Sequence, residues 1–209
     1  MSLQTHYISA SCVISNHIVY KNKKKEFENR AADLQGFLLS LYQFLNLKYM
    51  KFHRMDRLSK LGWLAAEVLL KDEIVPGHYK PEDIGVVLSN ASASLDTDIK
   101  YAETMKTIPS PSLFVYTLPN IVIGEICIRN KFKGENAFFI FEQFDANFIK
   151  QYVSNLVNNN ILQACICGWV ELLEENYKVA LFLIEKNSRP GSRIFTVENM
   201  LNLYHQDNG

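Results

Sequence analysis

Apolar residues recur along the chain at two spacings, and the switches between those spacings mark out the elements. Residues 6–14, from His6 through Cys12 to Ile14, are rich in β-branched and small side chains and predict a strand. The lysine-rich stretch 15–30 reads as an exposed connection. Leu34, Phe37, Leu38, Leu41, Tyr42 and Leu45 then keep helical spacing, and Met55, Leu58, Leu61, Ala65 and Leu69 repeat it over 55–70. Pro76 and Gly77 close that unit. Ile84-Gly85-Val86-Val87-Leu88 is almost wholly apolar, as suits a strand covered on both faces. Residues 89–98 open a helix that runs to about 106, and Pro109 and Pro111 mark a loop before the apolar stretch 112–128.

The pattern continues to the C-terminus. Residues 138–141 predict another buried strand, and Phe144, Phe148, Tyr152 and Leu156 follow at intervals of four, as one face of a helix requires. Asn158, Asn159 and Asn160 end that helix. Residues 162–170 and 178–185 predict two strands, and the short turn Glu174-Glu175-Asn176 between them makes the pair antiparallel. Pro190 and Gly191 break the chain before a terminal helix over 196–204. This alternation predicts an α/β protein, with a mostly parallel five-stranded sheet, helices on both faces and a C-terminal antiparallel hairpin. One domain over 1–209 is expected, with its core at about 5–186 and an extension over 187–209.

Composition narrows the functional classes. The 209 residues are 48% hydrophobic and 21% charged, enough apolar content for a substantial core. Lys plus Arg and Asp plus Glu both count 22, so no global field attracts a phosphate backbone and no nucleic-acid partner is expected. The run Lys21-Asn22-Lys23-Lys24-Lys25 sits beside Glu26 and Glu28 and reads as a solvated loop. Residues 89–94 hold no phosphate-cradling glycine motif. Cys165 and Cys167 share a strand face, but no second pair or nearby histidine completes a metal site, so neither metal nor other cofactor is expected. All four cysteines lie in apolar segments and read as buried, reduced thiols. With no signal-like N-terminal core and no apolar run near the ~18 residues needed to span a bilayer, a cytoplasmic protein without membrane contact is expected.

Several local motifs occur in a telling order. Arg54-Met55-Asp56-Arg57-Leu58-Ser59 resembles a helix opening, and Ile84-Gly85-Val86-Val87 a strand, of the β-ketoacyl synthases, a thiolase-like family. Pro109-Ser110-Pro111, Leu118-Pro119-Asn120, Gly124, Ile128-Arg129 and Gly134-Glu135-Asn136 resemble the approach to that family's nucleophile. The resemblance covers roughly residues 5–186 and implies a single thiolase-like half-domain, the family's N-terminal half. Counted from Gly134, the position of the nucleophilic cysteine falls on Gln143, whose carboxamide cannot form a thioester. Two histidines and a lysine that complete the family's site come from its second half. This chain's own histidines, His6, His17, His53, His78 and His205, match none of its catalytic motifs, with His205 expected in a frayed tail.

No catalytic residue is therefore expected, and Gln143 marks a vestigial nucleophile position. Phe139, Phe141 and Phe144 are candidates to line a pocket beside it, or to fill the space a substrate would use. The resemblance implies a non-catalytic accessory subunit of a fatty-acid or polyketide-like pathway, akin to a chain-length factor. In the family the strand matching Ala137–Phe141 pairs with its twin across a two-fold axis, which implies a homodimer or a heterodimer with a complete ketosynthase. Two alternatives stay open. One is an acyl- or malonyl-thioester decarboxylase or transferase completed by a partner. The other is a module that binds an acyl chain or an acyl carrier protein.

Overall fold

A computed structural model describes residues 5–73 and 78–206; the expected break at Pro76 and Gly77 lies outside these. Among the described residues eight strands form one sheet: β1 (Tyr7–Ser15), β2 (Ile18–Lys21), β3 (Lys24–Glu28), β4 (Ile84–Asn90), β5 (Asn136–Ile140), β6 (Ala164–Leu173), β7 (Asn176–Glu185) and β8 (Arg193–Ile194). Their order is β3-β2-β1-β7-β6-β4-β5, with β8 paired to the start of β1. Seven α-helices accompany them among the described residues: α1 (Leu34–Phe44), α2 (Arg57–Leu70), α3 (Leu95–Thr104), α4 (Pro111–Phe114), α5 (Ile121–Asn130), α6 (Ala146–Asn158) and α7 (Val197–Tyr204).

The α/β class, the helices on both faces and the β6–β7 hairpin match the sequence reading. The sheet is larger and more mixed than five mostly parallel strands. Among the described residues only β4 with β5 and β4 with β6 pair in parallel; the ladders of β1, β2, β3, β7 and β8 are antiparallel. The largest difference lies in residues 15–30, which form β2 and β3 rather than a loose connection. Asn16 and His17, then Asn22 and Lys23, all take positive φ (49°, 61°, 50° and 70°), giving two tight two-residue turns. Ile18 and Val19 are buried, while the lysines that masked the strand pattern point outward from β3.

Packing explains the layers. The sheet buries one face under α1, α2 and α5, around Trp63, Leu64, Val86, Ile166 and Leu181. The other face lies under α6 and α7, around Ile149, Val153, Cys165, Cys167 and Phe182. Side chains alternate across the pleat, so Cys165 and Cys167 share a face as their spacing requires. Helix α2 is buried on nearly every side and starts at Asp56, whose carboxylate accepts the Ser59 N–H at 3.0 Å. In α6 the buried stripe is Ile149, Val153, Leu156 and Val157, with Phe148 and Tyr152 on its flank. Phe144 precedes that helix rather than opening its face.

The two ends of the sheet differ. β3 reads Lys-Lys-Glu-Phe-Glu and is mostly exposed. β5 reads Asn-Ala-Phe-Phe-Ile and carries no charge. Gly85 and Gly134 let β5 approach β4: a Cβ on Gly134 would stand 2.5 Å from the Ile84 oxygen, and one on Gly85 would stand 2.4 Å from the Glu135 oxygen. Val86 N–H donates to Glu135 O at 3.2 Å, and Phe141 N–H donates to Asn90 O at 2.9 Å. These bonds bracket the ladder, so odd-numbered residues of β5 turn their peptide groups toward β4. Asn136, Phe138 and Ile140 therefore present theirs along the free edge.

Candidate active site

The position that matters sits in the connection between β5 and α6. β5 ends at Ile140, and Asp145 caps α6 by accepting the Phe148 N–H at 2.9 Å. Gln143 lies exposed between these fixed points. Phe144 turns inward, stacking on Tyr204 at 5.0 Å and reaching Trp169 and Phe182 at 6.2 Å. A cleft of about 760 Å³ opens here, with residues 141–147 on one side and Leu201, Tyr204 and His205 on the other.

Of the three candidate phenylalanines, Phe141 and Phe144 line this cleft with Gln143. Phe139 belongs to an aromatic cluster alongside, edge-on to Phe148 at 4.7 Å and to Tyr152 at 5.0 Å, with Phe141 5.9 Å away. That cluster braces β5 against α6. The cleft wall from α7 was not legible as a site. His205 closes α7 and faces the cleft rather than fraying from a tail. The signal for it was the spacing of Val197, Met200, Leu201 and Tyr204 behind a Thr196 cap, which docks an amphipathic helix beside Gln143.

The side chains in the cleft are suited to hydrogen bonding and apolar contact. Gln143 offers a carbonyl and an amide, and neither is a nucleophile. No thiol lines the cleft among the described residues. Burial pushes the thiols of Cys12, Cys165 and Cys167 well above their ordinary range, and pushes Cys127 up to about 11. Each is therefore protonated and poorly reactive near neutral pH. The other histidines lie elsewhere. His6 is buried at the start of the sheet, where burial, with Lys186 nearby, lowers its pKa. His17 occupies the first hairpin turn, its backbone N–H bonded to the Tyr177 hydroxyl at 2.7 Å. His53 sits on the turn Met50–Arg54, and His78 packs edge-on against Tyr79. Among the described residues no group of three or more His, Cys, Asp or Glu is placed to hold a metal ion.

The chain matches no family model and no curated protein. Solved structures do match. It superposes on the ishigamide ketosynthase/chain length factor with a TM-score of 0.66 at 16% identity, over 87% of this chain. The fold is that of the ketosynthases. A structure of the ketosynthase ApeO in complex with its chain length factor ApeC, from Xenorhabdus doucetiae, matches with a TM-score of 0.59 at 12% identity over 88% of this chain. A β-ketoacyl synthase from Burkholderia phymatum STM815 matches at 0.61 and 10% identity over 91%. The chain spans 62% of the first of these proteins, 80% of the second and 62% of the third. At such identities the likeness establishes fold alone. Among the described residues no helix is long and apolar enough to cross a membrane.

Proposed function

We propose that the chain is a non-catalytic, ketosynthase-like accessory subunit of a fatty-acid or polyketide-like pathway, acting in the cytoplasm through pairing with a second ketosynthase-fold chain. The observation that carries this reading is the bare edge of β5. An uncharged strand of Ala, Phe, Phe and Ile with a free row of peptide groups is a template for another strand. Two-fold antiparallel pairing centred on Phe138 would set Phe138 opposite its counterpart and Asn136 opposite Ile140. All three carry outward peptide groups, so each pair would exchange hydrogen bonds. Complexes of a ketosynthase with its chain length factor are among the matching structures, which favours a complete ketosynthase over a second copy of this chain as the partner.

Gln143 at the vestigial nucleophile position and the protonated, buried thiols support the absence of condensation chemistry in this subunit. The test is sedimentation equilibrium of the chain alone and mixed with a ketosynthase, alongside incubation with acyl and malonyl carrier thioesters. The reading predicts a complex and no turnover by the chain alone; a persistent monomer in both samples, or turnover by the chain alone, contradicts it.

A second reading has its own observation. The cleft beside Gln143 combines Phe141, Phe144 and Tyr204 with amide and carboxylate groups, an arrangement suited to an acyl chain or a carrier-protein arm. A matching structure of a type II polyketide acyl carrier protein with its ketosynthase supports a carrier protein as a further partner. Saturable binding of an acyl-pantetheine to the chain would establish this role; no heat of binding at millimolar ligand would exclude it.

A further inference from the structure

Histidine changes charge close to neutral pH, and a buried imidazole with no acidic partner is stable only in its neutral form. His6 is in that position. It immediately precedes β1, and the face it turns to is the one covered by α6, where Lys150 and Asn158 lie beside it. It is 4% exposed, and its Nε2 is buried without a hydrogen-bond partner. The charges around it are all positive. Lys186 follows β7 and donates to the Asn160 side-chain oxygen at 2.7 Å; Lys150 comes from α6. Arg193, opposite Ile8 on β8, is a further cation and is exposed. Asn158 supplies a polar contact but no charge. Among the described residues no carboxylate acts on the ring, Glu198 in the first turn of α7 included.

The same residue anchors the C-terminal extension. Its carbonyl oxygen accepts the Phe195 N–H at 2.8 Å, and β8 continues the ladder with Ile194 opposite Tyr7. Phe195 is buried, Thr196 caps α7, and Met200 and Leu203 are buried under that helix. Helix α7 in turn supplies Leu201, Tyr204 and His205 to the cleft beside Gln143. The extension has a second anchor at its start. There Arg189 donates to the Glu73 carbonyl oxygen at 2.6 Å and pairs with Glu185, which also accepts the Tyr79 hydroxyl at 2.6 Å.

We propose that His6 is a proton-operated latch: when its ring is charged, β8 and α7 loosen from the sheet about the Arg189 anchor and the cleft beside Gln143 opens. The docked extension accepts the neutral ring, because a proton would place one more positive charge between Lys186 and Lys150 with no water at Nε2. In the opened chain the imidazole returns to water, where it binds a proton below about pH 6.5. Burial, and then Lys186, holds the docked ring below that value. The stability of docking is therefore complete above about pH 6.5 and is lost as the pH falls from there toward the lower value of the docked ring. This control acts on access to the cleft, whatever occupies it, and is independent of pairing at β5.

The experiment is amide hydrogen exchange of the full chain at about pH 5.5 and about pH 7.5, either side of the free histidine value, with the intrinsic pH dependence of exchange divided out. Protection of the Phe195 and Met200 N–H groups should be about tenfold lower at the acid pH, while Leu64 in α2 stays within about twofold. His6→Gln, uncharged at both pH values, should show equal protection at the two. The exposed His205 is present in both chains, so this variant isolates His6. Lys186→Glu sets a carboxylate where a cation stood and should cut the acid loss to about threefold or less. If His6→Gln loosens the extension at both pH values, Lys186→Glu still decides, because it leaves the ring in place. Equal protection at both pH values in the unaltered chain overturns the proposal, as does an acid loss undiminished in the variants. A loss at Leu64 as large as at Phe195 would place the acid sensitivity in the whole fold and overturn it too.

Discussion

The two edges of the sheet face the same problem and meet it in opposite ways. β3 exposes Lys24, Lys25, Glu26 and Glu28, so a strand approaching it would have to strip water from charged side chains. β5 exposes an uncharged run, with Ile140 49% exposed and the peptide groups of Asn136, Phe138 and Ile140 unused by β4. The difference is what the proposed pairing rests on: charge protects β3 as an edge, whereas nothing charged on β5 would oppose a covering strand.

The strongest test of that contrast removes pairing at β5 without touching the fold. Ile140→Pro deletes a peptide N–H that points away from β4 and puts a ring where a partner strand must lie. Pairing is expected to weaken about a hundredfold or more by sedimentation equilibrium, roughly 2.8 kcal/mol, with the far-ultraviolet circular dichroism unchanged. A variant that pairs as before would break the comparison. Phe139→Ala is next in size. It leaves the outward edge chemically alone but removes the ring that braces β5 on Phe148 and Tyr152. A stability loss of about 2 kcal/mol in urea is expected, with pairing weakened about tenfold through loosening of the strand.

A smaller effect comes from the opposite edge. Lys25→Val with Glu28→Val converts β3 toward the character of β5, and light scattering should then detect new self-association of a few-fold in apparent mass at about 100 μM. If the doubly altered chain stays as dispersed as the original, charge is not what protects β3. The smallest change is expected from Gln143→Cys. This places a thiol in the exposed loop, away from both edges, so pairing should stay within about twofold. Mass spectrometry after exposure to an acyl carrier thioester should find no catalysed acylation beyond that of a free exposed thiol.

Much of the local structure was legible because each element obeys a single period. The stripe Leu58, Leu61, Ala65 and Leu69 gave α2, the run Ile84–Leu88 gave β4, and the tight Glu174-Glu175-Asn176 turn gave the β6–β7 hairpin. The hairpin of β2 and β3 was hidden by the same lysines that protect it: a charged edge strand looks like a loop when read for apolar alternation. The Asn16 and Asn22 turn positions were the available signal. Sheet order was out of reach for another reason. β7 inserts between β1 and β6, a pairing across more than 160 residues of sequence that no local pattern encodes, as Ile8 opposite Ile184 shows.

The site was partly legible in the same sense. Gly134 and Asn136 located the start of the strand, because close approach to β4 demands a glycine there, and Gln143 falls in the connection that follows β5. The cleft's second wall was not, since Leu201, Tyr204 and His205 reach it only through the docking of α7 on the sheet.

Amide hydrogen exchange along β5 tests the central claim most directly. In the chain mixed with a ketosynthase, the account predicts that Asn136, Phe138 and Ile140 exchange as slowly as Ala137 and Phe139, because both sides of the strand are hydrogen-bonded. Slow exchange at Ala137 and Phe139 alone, with Asn136, Phe138 and Ile140 exchanging at the rate of an open edge, would contradict it.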